Sequence, residues 1–165
     1  MKPPIVHTRP ATLARVRREY AALARLRCSL DPGDLRRVAY RDERGVAWTV
    51  KDLLAHVAQA NADVARSLAR MAVRYERIAT DALPRKIRGR VERIRNREIH
   101  DAWRRRPLDE IVRAQRAGER VVLAALRAWP ASYYTARSRP ASWPFNVDGH
   151  SALHRHQVEH VLRVR

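Results

Sequence analysis

The chain has 165 residues, of which 45% are apolar and five are glycine, and it carries a formal net charge of +18; this bounds it to a single domain, 1–165, with a real core, and excludes disorder and an all-β fold. Arginine supplies nearly all of the charge, since only Lys2, Lys51 and Lys86 are lysines, and its spread over every expected helix reads as a compositional basic surface, with a nucleic-acid footprint as the alternative. No stretch approaches the roughly 20 uninterrupted apolar residues of a membrane helix, and prolines and charges fill Met1–Pro10 where a signal peptide has its apolar core, so a cytoplasmic protein without a membrane partner is expected.

The first helix reads from about Pro10 to Leu30, with Leu13, Val16, Tyr20, Leu23, Leu26 and Leu30 at the three- and four-residue steps of one face. The single cysteine, Cys28, lies among apolar residues of that helix, excludes an internal disulfide and is expected to be a buried, inert thiol. Asp31-Pro32-Gly33-Asp34 ends the helix, and a polar connection with one short turn around Leu35–Val38 follows. Thr49-Val50-Lys51-Asp52 is a capping box: the threonine hydroxyl can accept from the Asp52 amide while the carboxylate reaches back to Thr49. Trp48 before the cap and Leu53 at the fourth helical position form a hydrophobic staple. This second helix carries Val57, Ala60, Val64, Leu68, Met71, Tyr75 and Ile78 on its buried face and stops at Leu83-Pro84.

Arg85 to Arg106 holds ten basic and three acidic residues and a thin apolar stripe of Val91, Ile94, Ile99, Ala102 and Trp103. That stripe is core or the interface of a C₂ homodimer. Pro107 restarts a helix with Asp109 and Glu110 in its first turn, where the dipole favours negative charge, and Leu108, Ile111, Val112, Gln115, Val122, Leu126 and Trp129 form its buried face. Residues 131–150 read as a long irregular connection containing Tyr133, Tyr134, Trp143 and Phe145, and loops of that length are often functional. The last helix is expected to begin near Ser151. Four long helical patterns without a strand candidate predict an all-α fold, a four-helix bundle with a long connection before the last helix.

His56 sits on the buried face of the second helix. His156 and His160, four apart on the last helix, lie one turn above each other with Leu153 and Val164 on the same face, so the pair is expected to point inward. Two imidazoles at this spacing can share a metal ion, and with His56 they would make a three-imidazole site for zinc or nickel. The rival reading makes His56 a core histidine bonded to a carbonyl. His154, about 200° round the helix from His156, is expected to face elsewhere. Asp52, one turn before His56, is a cap or a carboxylate orienting that ring. Glu159 reads as a solvated surface residue.

The run Ala47-Trp48-Thr49-Val50-Lys51-Asp52-Leu53-Leu54-Ala55-His56-Val57 resembles the opening of the second helix in the DinB superfamily, closest to its DfsB/ClbS-like branch. Arg95-Asn96-Arg97-Glu98-Ile99, then Trp103 to Glu110, is similar to the middle of that branch, and His156-Gln157-Val158-Glu159-His160 to its C-terminal His-x-x-x-His. Where the branch commonly has aromatic residues, this chain has Ala60 and Gln157. The resemblance implies an up-down-down-up bundle, a divalent ion, often nickel or zinc, on His56, His156 and His160, and metal-dependent hydrolysis or thiol transfer on a small reactive substrate. The rival of another class is a non-enzymatic basic protein that binds nucleic acid weakly and without sequence preference through Arg85, Lys86, Arg88, Arg90, Arg93, Arg95 and Arg97.

Overall fold

The computed structural model describes residues 8–74, 85–129, 131–134 and 147–164. The fold is mostly helical. In chain order the elements are α1 (Arg9–Ser29), α2 (Pro32–Arg36), the strands β1 (Val38–Arg41) and β2 (Ala47–Thr49), α3 (Val50–Arg74), α4 (Arg85–Trp103), α5 (Leu108–Ala128), a 3-10 turn (Ala131–Tyr134) and α6 (Val147–Arg163). Tyr75, Ile78, the expected stop at Leu83-Pro84, and Trp143 and Phe145 of the long connection lie outside the described residues.

Each start has a local cause. Thr8 caps α1 and its Oγ1 accepts from the Ala11 amide, with Pro10 in the first turn. The expected capping box of α3 is present: the Asp52 amide donates to Thr49 Oγ1 at 3.3 Å, and the Thr49 amide and hydroxyl donate to Asp52 Oδ2 at 2.8 and 2.7 Å. Trp48 and Leu53 share one buried cluster, as the staple requires. Pro107 caps α5, with Asp109 and Glu110 in its first turn. Two carbonyls of the connection after α4 find a donor in Lys51, whose Nζ lies 2.7 Å from the Arg104 oxygen and 3.2 Å from that of Arg106.

Two expectations are corrected. The stretch after α2 is not merely a polar connection: β1 and β2 pair antiparallel, with Tyr40 opposite Trp48 and Arg41 opposite Ala47. Asp42 closes the hairpin by accepting at Oδ1 from the amides of Arg44 and Val46, and Gly45 takes φ +76°, which costs glycine little. Cys28 is exposed. The inward stripe of α1 runs through Thr12, Val16, Tyr20, Leu23 and Arg27, and one further residue turns the cysteine about 100° out of it.

The long helices pack in layers. Val16 and Tyr20 of α1, Val64 and Leu68 of α3, Val122 and Leu126 of α5 and Val147 of α6 share one cluster with Trp129. Leu23 of α1, Leu54, Val57 and Ala58 of α3 and Ile111 of α5 form a second, with Trp103 of α4 against it. Low numbers in α1 thus meet high numbers in α3 but low numbers in α6, as Arg15–Asp148 and Glu19–Arg155 also show, so α1 and α6 run one way and α3 and α5 the other. A polar layer lies between the clusters: the Tyr20 hydroxyl donates to Asn61 Oδ1 at 3.3 Å, and buried Arg27 donates to Gln115 Oε1 at 2.8 Å. Helices α3 and α5 approach most closely at Gly118, where an added Cβ would stand 3.1 Å from Asn61 Cβ and 3.3 Å from the Ala62 backbone nitrogen.

Candidate metal centre

α3 places His56 against the start of α6, two turns into a helix whose first turn is pinned by the Thr49–Asp52 cap. α6 begins at Val147, not near Ser151, and its inward stripe is Val147, Ser151, His154 and Val158. That phase brings His150 and His154, a four-residue pair, onto His56. The Nε2 atoms of His56 and His150 are 3.2 Å apart, and those of His154 and His150 3.3 Å. The ligand nitrogens of all three rings lie within 4.8 Å of one another. His56 and His154 are 8% and 9% exposed.

His156 and His160 do not join this cluster. Both are exposed, and His156 Nδ1 turns to Glu159 Oε2 at 3.0 Å on the outer face of α6. The apolar residues that argued for their burial, Leu153 and Val164, are themselves 55% and 64% exposed. The His56, His156, His160 triad is therefore replaced by His56, His150 and His154. The 200° offset between His154 and His156 holds, but His154 is the one that faces in. The overlooked signal is a second His-x-x-x-His, 150 to 154, in phase with Val147 and Val158.

Three close, buried imidazoles disfavour protons. Burial pulls the His56 pKa down to about 3, helped by the neighbouring His154 and His150 and by Arg95. His150 falls to about 4 through burial and then His154. His154 is lowered by burial, partly offset by its bond to Gln157. The rings are thus neutral at pH 7, the state in which imidazole binds a metal.

The donor set fits a divalent cation. His154 Nδ1 lies 2.7 Å from Gln157 Oε1. That carbonyl oxygen can only accept, so Nδ1 carries the proton and Nε2 presents a bare lone pair to the cluster. His150 Nε2 faces the Nε2 atoms of both other rings, and a single N–H there would have to serve two acceptors. A cation satisfies three converging lone pairs at once. The 3.2 and 3.3 Å spacings are close to the edge, about 3.3–3.4 Å, of a tetrahedron whose metal–nitrogen bonds are about 2.0–2.1 Å, and the third separation lies within 4.8 Å. The cluster can hold a metal ion through His56, His150 and His154.

Neighbouring groups frame it. Trp48 stands edge-on to His56, with ring centres 6.1 Å apart, and leans on His100 at 4.8 Å. His100 is buried with Nε2 3.8 Å from Asp52 Oδ2. Asp52 thus serves the cap and faces His100, and it is not the carboxylate that orients a ligand ring; Gln157 has that place on His154. A groove of about 580 Å³ runs between α3 and α4, one turn on from His56, with Gln59, Asp63, Arg95, Ile99 and Trp103 in its walls. Trp103 donates to Gln59 Oε1 at 3.1 Å and packs against the core, and Ile99 is buried, whereas Ile94 and Ala102 of the same α4 stripe are exposed. No protein-family model matches the chain, and neither does a curated protein or a solved structure.

Proposed function

We propose that this chain is a divalent-metal protein of DinB type, a four-helix bundle of α1, α3, α5 and α6 in which His56, His150 and His154 hold zinc or nickel. On this reading it hydrolyses a small electrophile or transfers a thiol to it. The observation that carries the reading is the gathering of three neutral imidazoles whose ligand nitrogens lie within 4.8 Å of one another. Three protein ligands leave coordination positions open, which distinguishes a reactive site from a closed structural one. When bound, such an ion polarises an electrophile and lowers the pKa of a coordinated water or thiol.

The chain's own residues supply the rest. Gln157 fixes the His154 tautomer and ring angle. Trp48 covers His56 on one side and keeps bulk water from it. The groove between α3 and α4 offers the small substrate an apolar wall of Ile99 and Trp103.

The test is metal analysis after reconstitution with zinc or nickel and removal of the excess. About one equivalent is expected in the wild type and in His156→Ala, and little in His154→Ala. Equal metal in all three variants would overturn the site. A panel of electrophiles, each offered water and a low-molecular-weight thiol, then tests the activity, and absence of metal-dependent turnover across the panel refutes it.

A further inference from the structure

The β1–β2 hairpin leans over the middle of α4, and together they enclose a cleft of about 300 Å³. Its walls are chemically one-sided. Arg41 and Arg44 come from the hairpin and Arg93 and Arg97 from α4, against two carboxylates, Asp42 and Glu43, which leaves an excess of two positive charges. The carboxylates are weak competitors for a ligand. Asp42 is spent on the turn, with Oδ1 accepting from two amides and Oδ2 3.0 Å from Arg44. Glu43 reaches Arg93 only at 3.9 Å, and both side chains are 57% exposed, so water screens the pair.

The same cleft carries donors without acceptors. The side chains of Arg97 and Asn96 make no hydrogen bond or ion pair among the described residues. Trp48 is 3% exposed, and its buried Nε1 has no partner. Tyr40 stacks on Trp48 with ring centres 5.5 Å apart and planes 14° apart, and 37% of Tyr40 stays exposed. A recess with excess donors, two surplus positive charges and an aromatic wall calls for a compact ligand rich in acceptors, doubly negative and joined to an organic group.

We propose that the cleft between the hairpin and α4 binds a small phosphate monoester, its dianion on Arg93, Arg97 and Asn96 and its organic part against Tyr40. A phosphate monoester carries about −1.5 to −2 charge at pH 7 and three acceptor oxygens, and arginine forks match those oxygens two at a time. A recess at the lower end of ligand-pocket size suits one small ester better than a polymer backbone. The site is separate from the three histidines and does not depend on a metal, although Trp48 borders both.

Calorimetric titration of the full chain with phenyl phosphate, at fixed ionic strength and with chelator present so that no metal-held anion contributes, tests this. Saturable one-to-one binding is expected. Arg97→Gln and Asn96→Ala should each weaken it by about tenfold, with Arg97→Lys between wild type and Arg97→Gln. Arg120→Gln, an exposed arginine on α5, should leave it unchanged, and the exposed position of Arg97 should leave the thermal midpoint of its variants unchanged. Absence of saturable heat overturns the proposal. So does an equal loss in Arg120→Gln, which would mark a general effect of charge. Tighter binding of a single-stranded oligonucleotide with the same dependence on Arg97 would make the ligand a nucleic-acid backbone and overturn the assignment to a small ester.

Discussion

The three inward imidazoles make the metal-free protein sensitive to mild acid, with a sign and size that follow from their surroundings. In the unfolded chain each histidine titrates near 6.5. In the fold His56 is held down to about 3 and His150 to about 4, and His154 is lowered too. Above pH 6.5 neither state binds these protons and the fold is undisturbed. Below it the unfolded chain takes up protons that the fold refuses, so stability falls as pH drops from 6.5 towards the folded values. Each refused proton costs about 1.4 kcal/mol per pH unit, hence about 2 kcal/mol per ring at pH 5. His56 and His150 together account for about 4 kcal/mol, with a further contribution from His154. Against a net stability of about 5–15 kcal/mol, that lowers the thermal midpoint by on the order of 10 °C. The assay is thermal unfolding in chelator at pH 7.5 and pH 5, for the wild type and for His150→Gln and His156→Gln. The drop should shrink in His150→Gln and persist in His156→Gln, whose ring is in solvent. A wild-type midpoint that stays flat between the two pH values, or an undiminished drop in His150→Gln, would falsify the buried cluster. Zinc should restore the midpoint, since an ion that binds only the fold stabilises it by mass action.

Gly118→Leu should destabilise the fold by about 1–3 kcal/mol or more in urea unfolding, because the new side chain meets the Asn61–Ala62 backbone rather than a yielding side chain; a neutral result would mean that α3 and α5 are further apart than described. Asp52→Ala should cost about 1–2 kcal/mol through loss of the α3 cap while leaving metal content unchanged, and loss of metal would show that Asp52 acts on a ligand ring after all. Duplex DNA should bind weakly, losing about 10³-fold in affinity between 50 and 200 mM salt, because the arginines are spread over every helix and Arg95 of α4 already faces Asp63; tight, sequence-selective binding at 200 mM would make nucleic acid the partner.

Much of the helical layout was legible because it rests on local signals that tertiary packing does not override. The Thr49–Asp52 box, Pro10 and Pro107 mark three helix starts within a residue or two, and the α5 face of Ile111, Gln115, Val122 and Leu126 is buried as its spacing requires. The hairpin was missed because its strands are four and three residues long, too short for alternation to show. Its legible marks were the Asp42–Gly45 turn and the flanking Tyr40 and Trp48. Tyr20, Arg27 and Asn61 illustrate a different limit: their burial in a polar layer depends on partners from other helices, which no spacing within one helix reveals.

The site turned on the phase of α6. Its sequence offers two four-residue histidine pairs, 150–154 and 156–160, and two apolar sets that compete to name the inward face. Leu153 and Val164 favoured the second pair, whereas Val147 and Val158 lie in phase with His154. Larger side chains are a poor guide here: Leu153 is 55% exposed in the middle of α6, and Val164, 64% exposed, follows its last turn. The better discriminator is what each histidine has to satisfy. His156 has Glu159 one turn on and can pair with it in solvent, whereas His154 has Gln157, a neutral acceptor compatible with a dry, uncharged ring. The phase set by Val147 and Val158, rather than the pair spacing that both share, brings His154 and, one turn before it, His150 to His56.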